Sequence, residues 1–124
     1  MRHTCTPTQA ALAEKTRSFI HAHLSERITI EQISVELHVS ATQLKICFKN
    51  IYGMPIYAYI RSKKMQQACQ LLKTTESTVL DIGNRMGYDN GSKFARAFRS
   101  VVGVGPREYR RSQQMKKQTF EKNV

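Results

Sequence analysis

One pattern occurs twice in this chain at a nearly fixed offset. Thr29-Ile-Glu-Gln opens a run with apolar Ile30, Ile33 and Leu37; Thr78-Val-Leu-Asp opens another in which Ile82 and Met86 stand for Ile33 and Leu37, an offset of 49. One extra residue then enters, and Phe94, Phe98, Gly103, Tyr109 and Arg111 match Leu44, Phe48, Gly53, Tyr59 and Arg61 at an offset of 50. Pro106 follows Gly103 much as Pro55 follows Gly53. A chain that writes one supersecondary unit twice folds as two related units. With 124 residues in all, and cores below about 50 residues hard to sustain alone, the two should share an element.

The apolar spacing makes each unit helical. Leu12, Phe19, Ile20, His23 and Leu24 mark an amphipathic helix over residues 8–24. Thr29 with Gln32 forms a capping box, in which hydroxyl and amide satisfy free backbone donors reciprocally. Ser40 opens a second such pattern, S-A-T-Q, leading into a helix whose inner face is read as Leu44, Phe48 and Ile51 and which Gly53 stops. So few residues separate the second and third helices that they must cross steeply, as a helix-turn-helix does. In the repeat the corresponding inner face is Phe94, Phe98 and Val101.

Between the units, Pro55 suits a first helical position, and neither glycine nor proline interrupts the run to Lys73. Its stripe of Met65, Ala68, Cys69 and Leu72 predicts a central helix of about 28 Å. Ser34 and Gly83 precede the two turns with small side chains that allow close helix approach, and Gly87 suits a left-handed turn. His38 holds the matching place in the first copy, where some strain is expected. The chain therefore divides into a first helix-turn-helix subdomain at 8–54, a connecting helix at 55–74, a second subdomain at 75–112, and a polar tail at 113–124 expected to fray.

Charge gives the units a purpose. Lys and Arg number 20 against 9 Asp and Glu, a net +11, more than the magnitude of about 2 to 8 that solubility asks for. The excess calls for an anionic partner. From Leu37 to Thr75 there is no acid, and from Asn90 to Arg107 again none, while Glu31, Glu36 and Asp81 sit on the preceding helices. Opposite the inner faces, the third helix presents Thr42, Lys45, Ile46 and Lys49, and the sixth presents Ser92, Lys93, Arg96 and Arg99. A helix so furnished fits a major groove, where Lys and Arg read guanine and an aliphatic group meets a thymine methyl.

The second unit, DIGNRMGYDNGSKFARAFRSVVGVGPREYRR, resembles the signature of the AraC/XylS family of bacterial transcription regulators, and the resemblance runs from about residue 10 to residue 112. It departs from the family pattern at Tyr88, Gly83 and His38. The resemblance implies an all-α fold of about seven helices, two helix-turn-helix subdomains joined by a long central helix, with the third and sixth helices (about 41–52 and 90–102) in successive major grooves of double-stranded DNA. Carried over by position, the base readers are Thr42, Lys45, Ile46, Ser92, Lys93 and Arg96, with Gly91 giving close backbone approach. Lys49, Arg61, Arg99, Arg107, Arg110 and Arg111 are the phosphate candidates; for Arg110 and Arg111, neutralising a helix end is an equal alternative. Family likeness also implies activation through RNA polymerase, and an effector-binding or dimerisation domain as a further partner if the chain is a fragment.

Other chemistries are poorly served. His21 and His23 point apart on a helix, and Cys5, Cys47 and Cys69 show neither zinc nor disulfide spacing; Cys47 and Cys69 read as buried small hydrophobes, with Cys47 the better redox candidate because of nearby lysines. No metal, cofactor or catalytic set is expected, so the chain is not read as an enzyme. With no apolar run long enough to span a bilayer, a soluble cytoplasmic protein is expected. The competing readings are a nonspecific architectural nucleic-acid-binding protein and a module whose basic face meets an acidic protein.

Overall fold

The computed structural model describes residues 7–122, with side chains over 8–118. Among the described residues there are seven helices, α1 (Pro7–Ala22), α2 (Ile30–Leu37), α3 (Ala41–Tyr52), α4 (Ile56–Thr74), α5 (Val79–Arg85), α6 (Gly91–Val102) and α7 (Pro106–Lys122). Among the described residues there is no strand. Two compact units meet between Ile60 and Arg61, inside α4.

In the first unit, α2 starts at the capping box: Thr29 Oγ1 accepts from the Gln32 N–H at 3.1 Å, and Gln32 Oε1 accepts from the Thr29 N–H at 2.9 Å. It ends at His38, whose φ of 57° and ψ of 43° are left-handed. Ser34 closes the turn, its hydroxyl donating to Val39 O and its carbonyl accepting from the Val39 N–H at 3.1 Å. Ser40 then caps α3 by accepting from the Gln43 N–H, and Gly53 ends it at φ 76°. Ile20, Ile33, Leu44, Phe48 and Ile56 form the buried centre. Tyr59 seals it: its ring packs edge-on to Phe48 at 5.1 Å, and its hydroxyl accepts from Arg17 Nε and lies 2.7 Å from His21 Nε2.

The second unit is centred on Met65, Ala68, Leu72, Ile82, Met86, Phe94 and Phe98. A Cβ on Gly83 would lie 3.0 Å from the Phe94 ring, so glycine is what allows α6 to approach α5 this closely. Gly87 takes the turn at φ 86°. The cap of α6 is Asn90, whose Oδ1 accepts from the Lys93 N–H at 2.8 Å. Two cations close helix ends from within: the nearly buried Lys64 donates to Met86 O just past α5, and Arg110 donates from Nε to Leu72 O at 3.1 Å and from Nη2 to Thr75 O at 3.2 Å at the end of α4.

Two inner-face expectations need correction. In α3, Cys47 is buried while Ile51 is only partly so, and in α6 Val101 is 41 % exposed while Val102 packs on the core. The buried stripe advances by four residues, from Phe48 to Tyr52 and from Phe98 to Val102; a step of three turns the last apolar residue off the core. At the far end, α7 continues past Ser112 to Lys122, across most of the segment expected to fray; residues 123–124 lie outside the described residues.

Candidate nucleic-acid interface

Each unit carries its own surface. In α3, with Leu44, Cys47 and Phe48 turned inward, Thr42, Lys45, Ile46 and Lys49 are all exposed, Ile46 at 51 %. Ile46 thus places half-exposed apolar surface between Lys45 and Lys49, inside a cationic field. The flanking Ser40 cap and the Gly53 stop fix the length of this helix, so its outer face is a rigid strip of three turns.

In α6, Ser92, Lys93, Arg96 and Arg99 are exposed opposite Phe94 and Phe98. Lys93 lies 3.6 Å from Asp89, both largely exposed; such a pair holds its lysine weakly, leaving it ready to exchange the carboxylate for another anion. Arg99 lies beside Gly105, where an added Cβ would sit 3.3 Å from its Nη2. Gly91 is half-buried, and the nearest atom to a Cβ there belongs to Leu80 at 3.9 Å, so nothing obstructs the backbone at the α6 start.

Among the phosphate candidates, Lys49, Arg61, Arg99, Arg107 and Arg111 are exposed. Arg61 sits near Tyr88: burial raises the phenol above its usual range, and the Arg61 charge partly opposes that rise. Arg110 is half-buried and engaged on the α4 carbonyls, the helix-end alternative open to it in the sequence.

Asn50 and Ser100 were left out of the sequence reading. Each is exposed one turn beyond Ile46 and Arg96 and lengthens the outward strip. The four-residue step from Ile46 and from Arg96 was the available signal. Ser100 spends its hydroxyl on Ala97 O at 2.7 Å, whereas the Asn50 amide makes no hydrogen bond within the described residues.

The other chemistry-bearing residues are structurally occupied. His23 stacks on Phe19 and bonds its carbonyl oxygen at 2.8 Å, and His21 serves Tyr59. Cys47, at 2 % exposure, is sealed from oxidants despite its lysine neighbours. No cluster of metal-binding side chains occurs, and no helix is long and apolar enough to cross a membrane, among the described residues.

Paired short helices, each pair ending in a capped helix with an outward cationic face, define a DNA-binding domain of two helix-turn-helix units. The helix-turn-helix domain model matches residues 33–112, and the chain belongs to the AraC/XylS-type family of DNA-binding transcription regulators. Among its relatives is the HTH-type transcriptional activator AarP of Providencia stuartii, 29 % identical over 86 % of this chain and 79 % of that protein. Another is the F1 operon positive regulatory protein of Yersinia pestis, 33 % identical over 80 % of this chain but 35 % of the relative, so the chain spans about a third of that protein. The C-terminal domain of AraT, a response regulator from Geobacillus stearothermophilus, superposes with a TM-score of 0.81 at 30 % identity, covering 89 % of this chain and 88 % of that one. The DNA-binding domain of AdpA, solved with a target DNA, shares the fold at a TM-score of 0.80 and 20 % identity, over 86 % of this chain and 96 % of its own. These relatives and neighbours are regulators and their DNA-binding domains, not enzymes.

Proposed function

We propose that the chain is a sequence-specific activator of transcription that reads two adjacent major grooves of one DNA duplex, one with α3 and one with α6. Thr42, Lys45 and Ile46 read bases in one groove, and Ser92, Lys93 and Arg96 in the other. Lys49, Arg61, Arg99, Arg107 and Arg111 hold phosphates, and Arg110 supports the fold at the end of α4. The observation that carries this reading is the recurrence of an exposed, acid-free strip on the second helix of each helix-turn-helix pair, α3 and α6. Because the two strips differ in composition, the site is two unlike half-motifs and needs no palindrome. Two relatives are named as an activator and a positive regulator, which supports activation; RNA polymerase as the partner and the cytoplasm as the place belong to the same proposal.

Selection of oligonucleotides from a random pool should return a bipartite, asymmetric motif. On that motif Arg96→Ala should cost about 1–3 kcal/mol and relax preference in one half only, whereas Arg61→Ala should weaken every sequence alike. An unselective pool, or equal losses for both variants on all DNA, would instead establish the architectural reading.

A further inference from the structure

Two surface features lie outside the DNA-reading strips. The first is a groove of about 600 Å³ on the first unit, formed by the end of α1, the following turn and the outer face of α2. Its apolar lining includes Phe19, Ile28 and Val35, the last 74 % exposed, and its rim carries Glu26, Glu31 and Glu36 against one arginine, Arg27. Glu26 lies 4.0 Å from His23, but Glu31 and Glu36 have no partner among the described residues. A third of the chain's 9 carboxylates thus rims one groove in a protein of net charge +11. Phosphates would be repelled there, so this is not DNA-binding surface.

The second is the stretch of α7 beyond Ser112, past the end of the family match. Its residues Gln114–Gln118 are all exposed, Met115 at 61 %. Lys116 and Lys117 follow Met115, Arg111 stands one turn before it, and the two lysines have no partner among the described residues. A short solvated helix gains little from its own hydrogen bonds, and an exposed methionine between cations suits an apolar slot with an acidic rim.

We propose that the α7 arm of one copy docks into the α1–α2 groove of a second copy, with Met115 entering between Phe19, Ile28 and Val35 and the lysines meeting Glu31 and Glu36. Groove and arm are different surfaces, so the contact is head-to-tail and leaves a free groove and a free arm at its ends. One helical arm buries less than the roughly 1,200 Å² of a stable interface, and copies of like net charge repel. The association is therefore weak, and best measured near physiological ionic strength, where screening over about 8 Å suppresses long-range repulsion but spares close pairs.

Sedimentation equilibrium of the full chain over a wide concentration range tests this, with far-ultraviolet circular dichroism to confirm the fold of each variant. The average mass should rise with concentration for the unaltered chain. The groove variant Glu31→Lys/Glu36→Lys and the arm variant Lys116→Glu/Lys117→Glu should each lose that rise, with association weakened roughly tenfold or more. Mixing the two variants should restore it, because each reversed arm then meets a reversed groove. A concentration-independent monomer, as expected if the arm seats on its own chain or the groove serves a different protein, overturns the proposal. So does unchanged association of either variant, or a mixture that stays monomeric.

Discussion

The two units build one motif with different chemistry. At the turn the second unit uses Gly87, and at the helix crossing Gly83, where the missing side chain admits the Phe94 ring. The first unit has His38 in the left-handed region and Ser34 at the crossing, its hydroxyl tying Val39 O. One unit removes atoms to bring its helices together, and the other keeps a side chain and gives it a hydrogen bond. The lesson is that the motif specifies backbone path and leaves open how a given residue accommodates it, so matched substitutions should have unequal effects.

The largest inequality should appear at the crossing. Gly83→Val adds atoms where even one methyl is crowded and should destabilise the second unit by about 1–3 kcal/mol or more, whereas Ser34→Ala forfeits one hydrogen bond, about 1 kcal/mol. Chemical denaturation of both variants checks the order, and equal losses would show that Phe94 yields freely. Next is Lys64, nearly buried on Met86 O. Lys64→Met should cost about 1–2 kcal/mol by leaving the end of α5 uncapped, less than a full charged hydrogen bond because no charge remains to be desolvated.

The turns come third. Gly87→Ala, forced to φ 86°, should cost about 1 kcal/mol, while His38→Gly, at an exposed side chain, should stabilise by a few tenths to about 1 kcal/mol, since relief of strain is partly offset by a floppier unfolded chain. A His38→Gly variant no more stable than its parent would mean that the first turn is relaxed as it stands. Smallest is the thiol contrast. Burial raises the Cys69 thiol, while its hydrogen bond from Tyr109 and the Lys73 charge only partly oppose this. The folded chain thus holds that proton longer than the unfolded one, so the associated stability is present below the unfolded pKa of about 8.5 and is lost as pH rises through the higher folded value. Alkylation kinetics should show Cys69 slower than a free cysteine, and the sealed Cys47 slower still.

The capping residues Thr29 and Ser40 and the turn at His38 were legible because each depends on neighbours a few positions away, and the repeat because one pattern recurs at an offset of 49–50, which set Gly83 opposite Ser34 at the helix crossing. Ile51 and Val101 were misplaced because a three-residue and a four-residue step fit the same short pattern until a core exists to choose between them. The Asn90 cap was not legible because no glutamate or glutamine stands three residues on to complete a capping box; Lys93 holds that place. For Arg110 the sequence offered a phosphate or a helix end equally and held nothing to choose between them: its partners, Leu72 and Thr75, lie 38 and 35 residues away, and only folding reveals the open carbonyls that claim it. The groove rimmed by Glu31 and Glu36 was likewise visible only as scattered carboxylates.

Lys64 carries a lesson for anyone weighing this chain's affinity by its composition. When DNA binds a protein, each phosphate neutralised sheds part of a condensed cation, and the slope of log affinity against log salt counts those ions. A lysine already spent on a carbonyl oxygen within the molecule sheds none, so Lys64 will be silent in that count, and the slope will report fewer contacts than the sum of basic residues suggests.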